Sequence, residues 1–313
     1  MMTTSTAALP VAIVVSCCRT SSWSRIIGLL WLAALLGALQ GCSAIKLAYN
    51  NLPELGYWYL DGYADFNETQ SLKVREELGR LHQWHRSSEL PKIAELLQKI
   101  QRMATADAGT EQLCGLFADV RNRFDALITQ AEPASVALAM GLGSAQLAHM
   151  ETKYAKANTE WREKWSKGSL AERQSRRLKS AIERSEQFYG ILDERQITVL
   201  RSAITRSEFD PDLSFSERLR RQQDLLQTLR QIGLNGPAPR LGVAQATAAL
   251  RAYLERSVNS PNTSYRAYAD RAVLASCLMM AQLHNSTSAE QRERAARRLA
   301  AYERDARELA GQR

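Results

Sequence analysis

Apolar residues recur at steps of three and four along almost the whole chain, and runs of Val, Ile and Thr alternating at period two are missing. That is the period of an amphipathic helix, so the pattern predicts an all-α protein, a multi-helix bundle. The clearest stripe is Ala295, Leu299, Tyr302, Ala306 and Leu309, with Thr287 and Glu290 at capping-box spacing before it. Leu147, Met150, Tyr154, Ala157 and Trp161 lie at helical spacing inside a candidate helix from about Pro133 to Ser166, about 50 Å long at 1.5 Å per residue. Lys167-Gly168 and a capping box at Ser169 and Glu172 follow. The chain is therefore expected to turn back as a long antiparallel helical hairpin, with Leu178, Ile182, Ser185 and Tyr189 on the returning face. Phe215, Leu219, Leu226 and Leu229 mark a further helix, and "GLNGPAPRLG" at 233–242 reads as a loop within a single helical domain over 42–313. Two short segments echo each other, "FNETQ" at 66–70 and "LDERQ" at 192–196. Each places Asn or Asp three residues before Gln, which is helix-cap chemistry.

The first 41 residues carry a different pattern. Arg25 precedes an apolar run from Ile26 to Leu39 that ends in Leu39-Gln40-Gly41-Cys42, the layout of a secretion signal with a lipobox. The run is short for a hydrocarbon core of about 30 Å. It is read as a signal peptide over 1–41, cleaved so that Cys42 becomes an acylated N-terminus. Two or more acyl chains hold a protein on a membrane far more firmly than one. Ser43, where Asp would follow in a different sorting class, points to the outer membrane, with the domain facing the periplasm.

Composition changes this picture little. The 313 residues are 45% hydrophobic and 24% charged, as in globular chains, and the net charge is +8. A basic, tethered protein is drawn to anionic lipid or other envelope components, and nucleic acid is not an expected partner of an exported chain. Of five cysteines, Cys17 and Cys18 leave with the leader and Cys42 is taken by lipid. Cys114 and Cys277 remain, either as a disulfide in an oxidising compartment or as two small buried side chains.

The chain contains no phosphate-binding loop, dinucleotide fingerprint, zinc-protease helix or nucleophile elbow, and no cofactor is implied. His82, His85 and Glu89 share one helical face and are the best metal candidates, weighed against a solvated or half-buried face, which is favoured. Tyr49, Tyr57, Trp58, Tyr59, Tyr63 and Phe66 crowd a short span just after Cys42. They form either a membrane-interface belt or a first core helix with Leu52, Leu55, Tyr59, Tyr63 and Phe66 on its stripe, and the core is favoured. Asp61, Asp65 and Glu68 nearby would supply the general acid or base if the protein were an enzyme acting on peptidoglycan or lipid. Residues 162–184 hold eight Lys or Arg and three Glu. Arg173, Arg176, Arg177 and Lys179 are candidates for an anionic surface site, against the plainer reading of solvated helix faces. Beside them Trp161 and Trp165 look like interface anchors, although Trp161 also fits the core stripe.

Tyr49-Asn50-Asn51, Trp58-Tyr59-Leu60-Asp61 and Phe66 to Gln70 after Cys42, with the C-terminal "TSAEQRERAARRLAAYERDARELA", resemble a family of proteobacterial lipoproteins known as a domain of unknown function. The resemblance implies a helical envelope lipoprotein and supplies no activity. "LDERQ" and "FNETQ" are also similar to the Leu-Thr-x-x-Gln motif of small periplasmic stress chaperones built from helical hairpins. The function expected is a non-enzymatic interaction or chaperone-like scaffold, with Tyr49, Tyr57, Trp58, Asp61, Tyr63, Asp65 and the basic run as candidate surface. Lipid or lipopolysaccharide binding in an apolar groove is the alternative.

Overall fold

Short polar side chains write the helix starts. Asn67, Ser169, Asp193 and Ser288 each hold an extended backbone while the side-chain oxygen accepts the N–H of the third helical residue, whose own Gln or Glu reaches back to the cap N–H. These caps and the helical spacing produce α1 (Cys42–Asn50), α2 (Leu52–Ala64), α3 (Glu68–Trp84), a π-helical turn (His85–Glu89), α4 (Leu90–Met103), α5 (Thr110–Met140), α6 (Ser144–Trp165), α7 (Leu170–Tyr189), α8 (Glu194–Arg206), α9 (Pro211–Ile232), α10 (Val243–Val258), α11 (Thr263–Asn285) and α12 (Ala289–Gly311). Between α9 and α10 the Gly- and Pro-rich segment forms a two-residue antiparallel ladder, β1 (Leu234–Asn235) and β2 (Ala238–Pro239). The structure is a computed structural model, and residues 42–236 and 238–312 are described. The expected signal peptide at 1–41 and the side chain of Cys42 lie outside that description. The protein is all-α, and Ile45–Arg313 forms one compact unit.

Helices pair mainly antiparallel. α4 and the π turn lie along α12, with Arg86 reaching the carbonyl of Leu309 and Gln101 reaching Glu303. α5 begins along the end of α11, where Ala108 N–H donates to Asn285 and Cys114 meets Cys277. α2 with α3, and α7 with α8, are true hairpins. Pro91 does not end a helix near Leu90. The backbone widens for one turn, Leu90 N–H bonding to His85 O, and Pro91 then sits in the first turn of α4, where its missing N–H costs nothing.

Two expectations about the long hairpin need correction. Pro133 does not start a helix: it lies inside α5, and the chain breaks at Gly141–Gly143 before α6. α6 also does not fold back on α7. It packs on α2 and α9, while α7 packs on α8 and α12. Leu178, Ile182 and Tyr189 do form a packing face, but against Leu192, Leu200, Ile204 and Leu283. The last helix is capped one residue later than expected, by Ser288 and Gln291, and Thr287 is buried with its hydroxyl on His284 O.

The echo between "FNETQ" and "LDERQ" marks equivalent places. Gln70 and Gln146 are each the third residue of a capping box and exchange amide hydrogen bonds: Gln70 Nε2 donates to Gln146 Oε1 (3.3 Å) and Gln146 Nε2 to Gln70 Oε1 (2.8 Å). Gln70 also donates to Gly141 O, and Gln146 to Ala64 O and Asp65 O. Gln196 and Gln291 repeat the arrangement, with donations to each other (2.6 and 3.1 Å), to Ser286 O and to Ile191 O. Each pair therefore ties two interhelical turns together, α2–α3 to α5–α6 and α7–α8 to α11–α12. Gly190 belongs to the second lock: its φ of +76° lies in the left-handed region, and a Cβ there would stand 2.6 Å from the Arg294 guanidinium.

Two stability predictions follow from this frame. Gln196, 1% exposed, cannot be replaced by Glu without setting a carboxylate against Ser286 O and the Gln291 amide oxygen. Gln196→Glu should lower unfolding free energy by roughly 2–4 kcal/mol in urea titration. The Cys114–Cys277 disulfide closes a separation of 163 residues. Cys114→Ser/Cys277→Ser should cost about 4–5 kcal/mol on the chain-entropy account, and a non-reducing gel should show a slower-migrating band than the oxidised wild type.

Candidate functional site

Three groups of residues stand out by chemistry. The first surrounds Tyr49 on α1, whose hydroxyl lies 3.0 Å from His85 Nδ1 and whose ring packs 4.6 Å from the His82 ring. Arg86 approaches the same ring and donates to Asn50. Lys46 pairs with Glu308 and lies 3.5 Å from buried Asp305. Together these side chains clamp α1 to the π turn and α12. Glu89 is not part of the group. It is buried and held by Lys92 at 2.7 Å and Arg123 at 3.0 Å. The metal candidates His82, His85 and Glu89 are therefore corrected: the wide π turn carries Glu89 away toward α5, and among the described residues no three His, Cys, Asp or Glu stand where they could share an ion.

The second group is the aromatic run. Tyr57 is buried in the α2–α3 hairpin, with its hydroxyl donating to Ser71 and Arg75 stacked 3.6 Å from the ring centroid. Tyr63 is half-buried between Tyr59 and Tyr154 and packs against the core formed by α5, α6, α9 and α10. Leu52, Leu55 and Tyr59 do not join that core. They are 47%, 47% and 67% exposed, and Trp58 is 63% exposed, so the expected core stripe is corrected to a split helix. Tyr57 and Ala64 face inward, and Leu52, Leu55, Trp58 and Tyr59 share an outward face. The physical reason is that, among the described residues, α2 packs chiefly against α3 and α6, which lie on the side of Tyr57 and Ala64. Asp61 Oδ1 accepts the Phe66 N–H at 2.9 Å, and its carbonyl accepts the N–H of Asp65, which takes a left-handed conformation to end the helix. Both acids thus shape the α2–α3 turn, and Glu68 sits in the first turn of α3, where its charge favours the helix dipole.

The basic run divides. Arg173 donates to Gly168 O (2.6 Å) and Ser166 O, and Arg176 donates to Lys167 O, so both satisfy carbonyls where α6 turns into α7. Lys179 is exposed. Arg177 instead lines a cavity of about 410 Å³ between α7, α8 and α11. Its guanidinium stacks 4.7 Å from the ring centroid of Phe209, which meets Trp165 edge-on. Buried Tyr268 also lines the cavity, with its hydroxyl within hydrogen-bond distance of Asp210 N and Ser214 Oγ. Burial pushes the Arg177 guanidinium below its usual value, against a small opposing influence of Tyr268. Trp161 stacks on Phe215. Phe209 and Tyr268 were not legible as site residues, because they come from a loop and a helix far from Arg177 in sequence and no local pattern links them.

A family model described as a family of unknown function, DUF6279, matches residues 62–241. The match begins after the Trp58–Asp61 segment and takes in Arg177, Arg206 and Phe209, but not Tyr268. No curated protein and no solved structure matches the chain.

The histidines give this framework a pH dependence. Burial holds the imidazoles of His82, His85 and His284 below their usual value of 6.5, and nearby Arg86 adds to the effect on His82. His284 is fixed by Ala106 O and the Tyr189 hydroxyl. In the unfolded chain these groups protonate near 6.5, so the stability they contribute is full above that pH and is lost as pH falls through 6.5 toward the lower folded values. Urea midpoints should be level from pH 8 to 7 and decline between 6.5 and 5. A level profile across that range would contradict the burial of these rings.

Proposed function

The chain belongs to DUF6279, a family of unknown function, and from that premise we propose that it is a lipid-anchored, non-enzymatic interaction scaffold of the bacterial envelope. The observation that carries this reading is the outward face of α2. Leu52, Leu55, Trp58 and Tyr59 are exposed within 20 residues of Cys42 in the sequence. Trp and Tyr favour the headgroup region, and an amphipathic helix can lie in that plane. Acylation of Cys42 would bring α2 to the bilayer, and α2 would then fix how the domain stands on it. Among the described residues no helix is long and apolar enough to cross a membrane, so attachment in this reading rests on the acyl chains and that face. The Cys114–Cys277 disulfide fits an oxidising compartment, and Ser43 favours the periplasmic side of the outer membrane.

A protein partner has a candidate surface of its own. Phe117, Val120, Phe124 and Ile128 are all exposed and lie on one stripe of α5 at helical spacing. A chaperone-like role is the version in which this stripe takes unfolded clients.

Metabolic labelling with palmitate should mark the wild type and not Cys42→Ser. Purified Cys42→Ser protein should still bind vesicles of phosphatidylethanolamine and phosphatidylglycerol. Adding Leu55→Ser and Trp58→Ser should weaken that binding by tenfold or more, since each buried apolar side chain contributes roughly 1.5–3 kcal/mol. An unlabelled, soluble wild type would remove the anchor from this reading, and vesicle binding indifferent to α2 would remove the interfacial face.

A further inference from the structure

The cavity between α7, α8 and α11 holds a cation that the fold does not use. Four arginines line it, Arg177, Arg184, Arg206 and Arg271, against one acid, Glu208. Glu208 is already paired with Arg271 at 2.8 Å. Among the described residues no carboxylate lies within ion-pair distance of Arg177, Arg184 or Arg206. Arg177 is the unusual member, because it is half-buried and stacked on Phe209. A guanidinium taken partly out of water with no counter-charge is costly to keep. Unlike Arg173 and Arg176, which donate to carbonyls of the preceding turn, Arg177 is held only by its stack on Phe209 among the described residues.

Much of the remaining wall is apolar. Ala181 and Ile204 are buried, Trp165, Ala203 and Met279 lie beside them, and Ser207 and Ser276 contribute polar positions. At about 410 Å³ the space falls within the range of small-molecule sites, about 300–1,000 Å³. Ser180 adds a hydroxyl to the lining. A largely apolar wall beside an unpaired, half-buried guanidinium suits one class of molecule: an apolar chain that ends in a negative charge.

We propose that this cavity is a binding site for a single-chain anionic amphiphile, whose carboxylate or phosphate head pairs with Arg177 and whose chain lies against Trp165, Ala203, Ile204 and Met279. Arg184 and Arg206, both exposed, attract the head to the mouth, and their effect is screened by salt. Arg177 supplies the charge-assisted hydrogen bonds that fix it. The site is separate from the α2 face and does not depend on whether Cys42 is acylated.

Isothermal titration of the full chain carrying Cys42→Ser, so that no acyl group of its own competes, tests the proposal. The probes are dodecanoate, dodecyl phosphate, dodecanol and inorganic phosphate, each below its micellar concentration. At least one of the two anionic amphiphiles should bind one to one, with dodecanol at least about tenfold weaker and inorganic phosphate silent. Preference for dodecanoate assigns a fatty-acid head, and preference for dodecyl phosphate assigns a lipid phosphate. Arg177→Met should weaken the anionic probe by about tenfold or more, and Lys179→Met on the same helix should leave it unchanged. Ala275→Trp, which fills the mouth from an exposed helical position, should abolish binding, and it decides the matter if Arg177→Met does not fold. No binding by either anion, equal binding of dodecanol, or wild-type affinity in a folded Arg177→Met or Ala275→Trp would overturn the proposal.

Discussion

Helix beginnings leave backbone N–H groups without partners, and this protein places four such beginnings where they must also meet each other. The reciprocal glutamine pairs, Gln70 with Gln146 and Gln196 with Gln291, resolve both demands at once. Each amide oxygen accepts from its own cap N–H and from the partner amide, and each NH₂ group donates to the partner and to a turn carbonyl. A carboxylate has the acceptors but not the donors, and a hydroxyl lacks the reach, so only a side-chain amide satisfies this geometry. Because each lock joins turns that are distant in sequence, these pairs set which turns face which.

The second lock also builds the cavity. By tying the α7–α8 turn to the α11–α12 turn it fixes one end of all three helices that line the Arg177 site, and Tyr189 and His284 reinforce that end with a further hydrogen bond. The disulfide holds α11 to α5 on another side. The cavity is thus a space left between rigidly spaced helices, and Trp165 and Phe209 close it from loops and helix ends.

Charge is managed in the same way elsewhere. Glu217 is buried, but Arg220, Arg221 and Ser260 satisfy its oxygens and hold its carboxyl below the usual range against the opposing effect of burial, the largest single influence. Glu89 has Lys92 and Arg123. Half-buried Arg86, Arg173 and Arg218 lack an acid but donate to carbonyl or amide oxygens. Against that background Arg177, half-buried with neither an acid nor a hydrogen-bond acceptor among the described residues, is conspicuous, and so is a helix face with Trp58 and Tyr59 in solvent. Packing rules account for the paired charges and not for these two features, which is the reason a binding role is proposed for each.

The sequence by itself determined the helical class, because the three-four spacing of apolar residues is local. It also determined the helix starts at Asn67, Ser169 and Asp193, because a cap involves residues only three apart. It marked "FNETQ" and "LDERQ" as related but not what they bond to, since Gln146 and Gln291 are supplied by other helices. It assigned Leu52, Leu55 and Tyr59 to a core stripe. A helical period says that two faces differ and not which one a neighbour will cover, and α3 and α6 cover the face of Tyr57. His82, His85 and Glu89 share a face only if the helix keeps its pitch, and a single wide turn before Pro91 moved Glu89 away from the two histidines, which both stay against Tyr49. Tertiary structure alone decided that, of four neighbouring basic residues, Arg173 and Arg176 close a turn while Arg177 lines a cavity, because Phe209 and Tyr268 meet it only when distant helices pack.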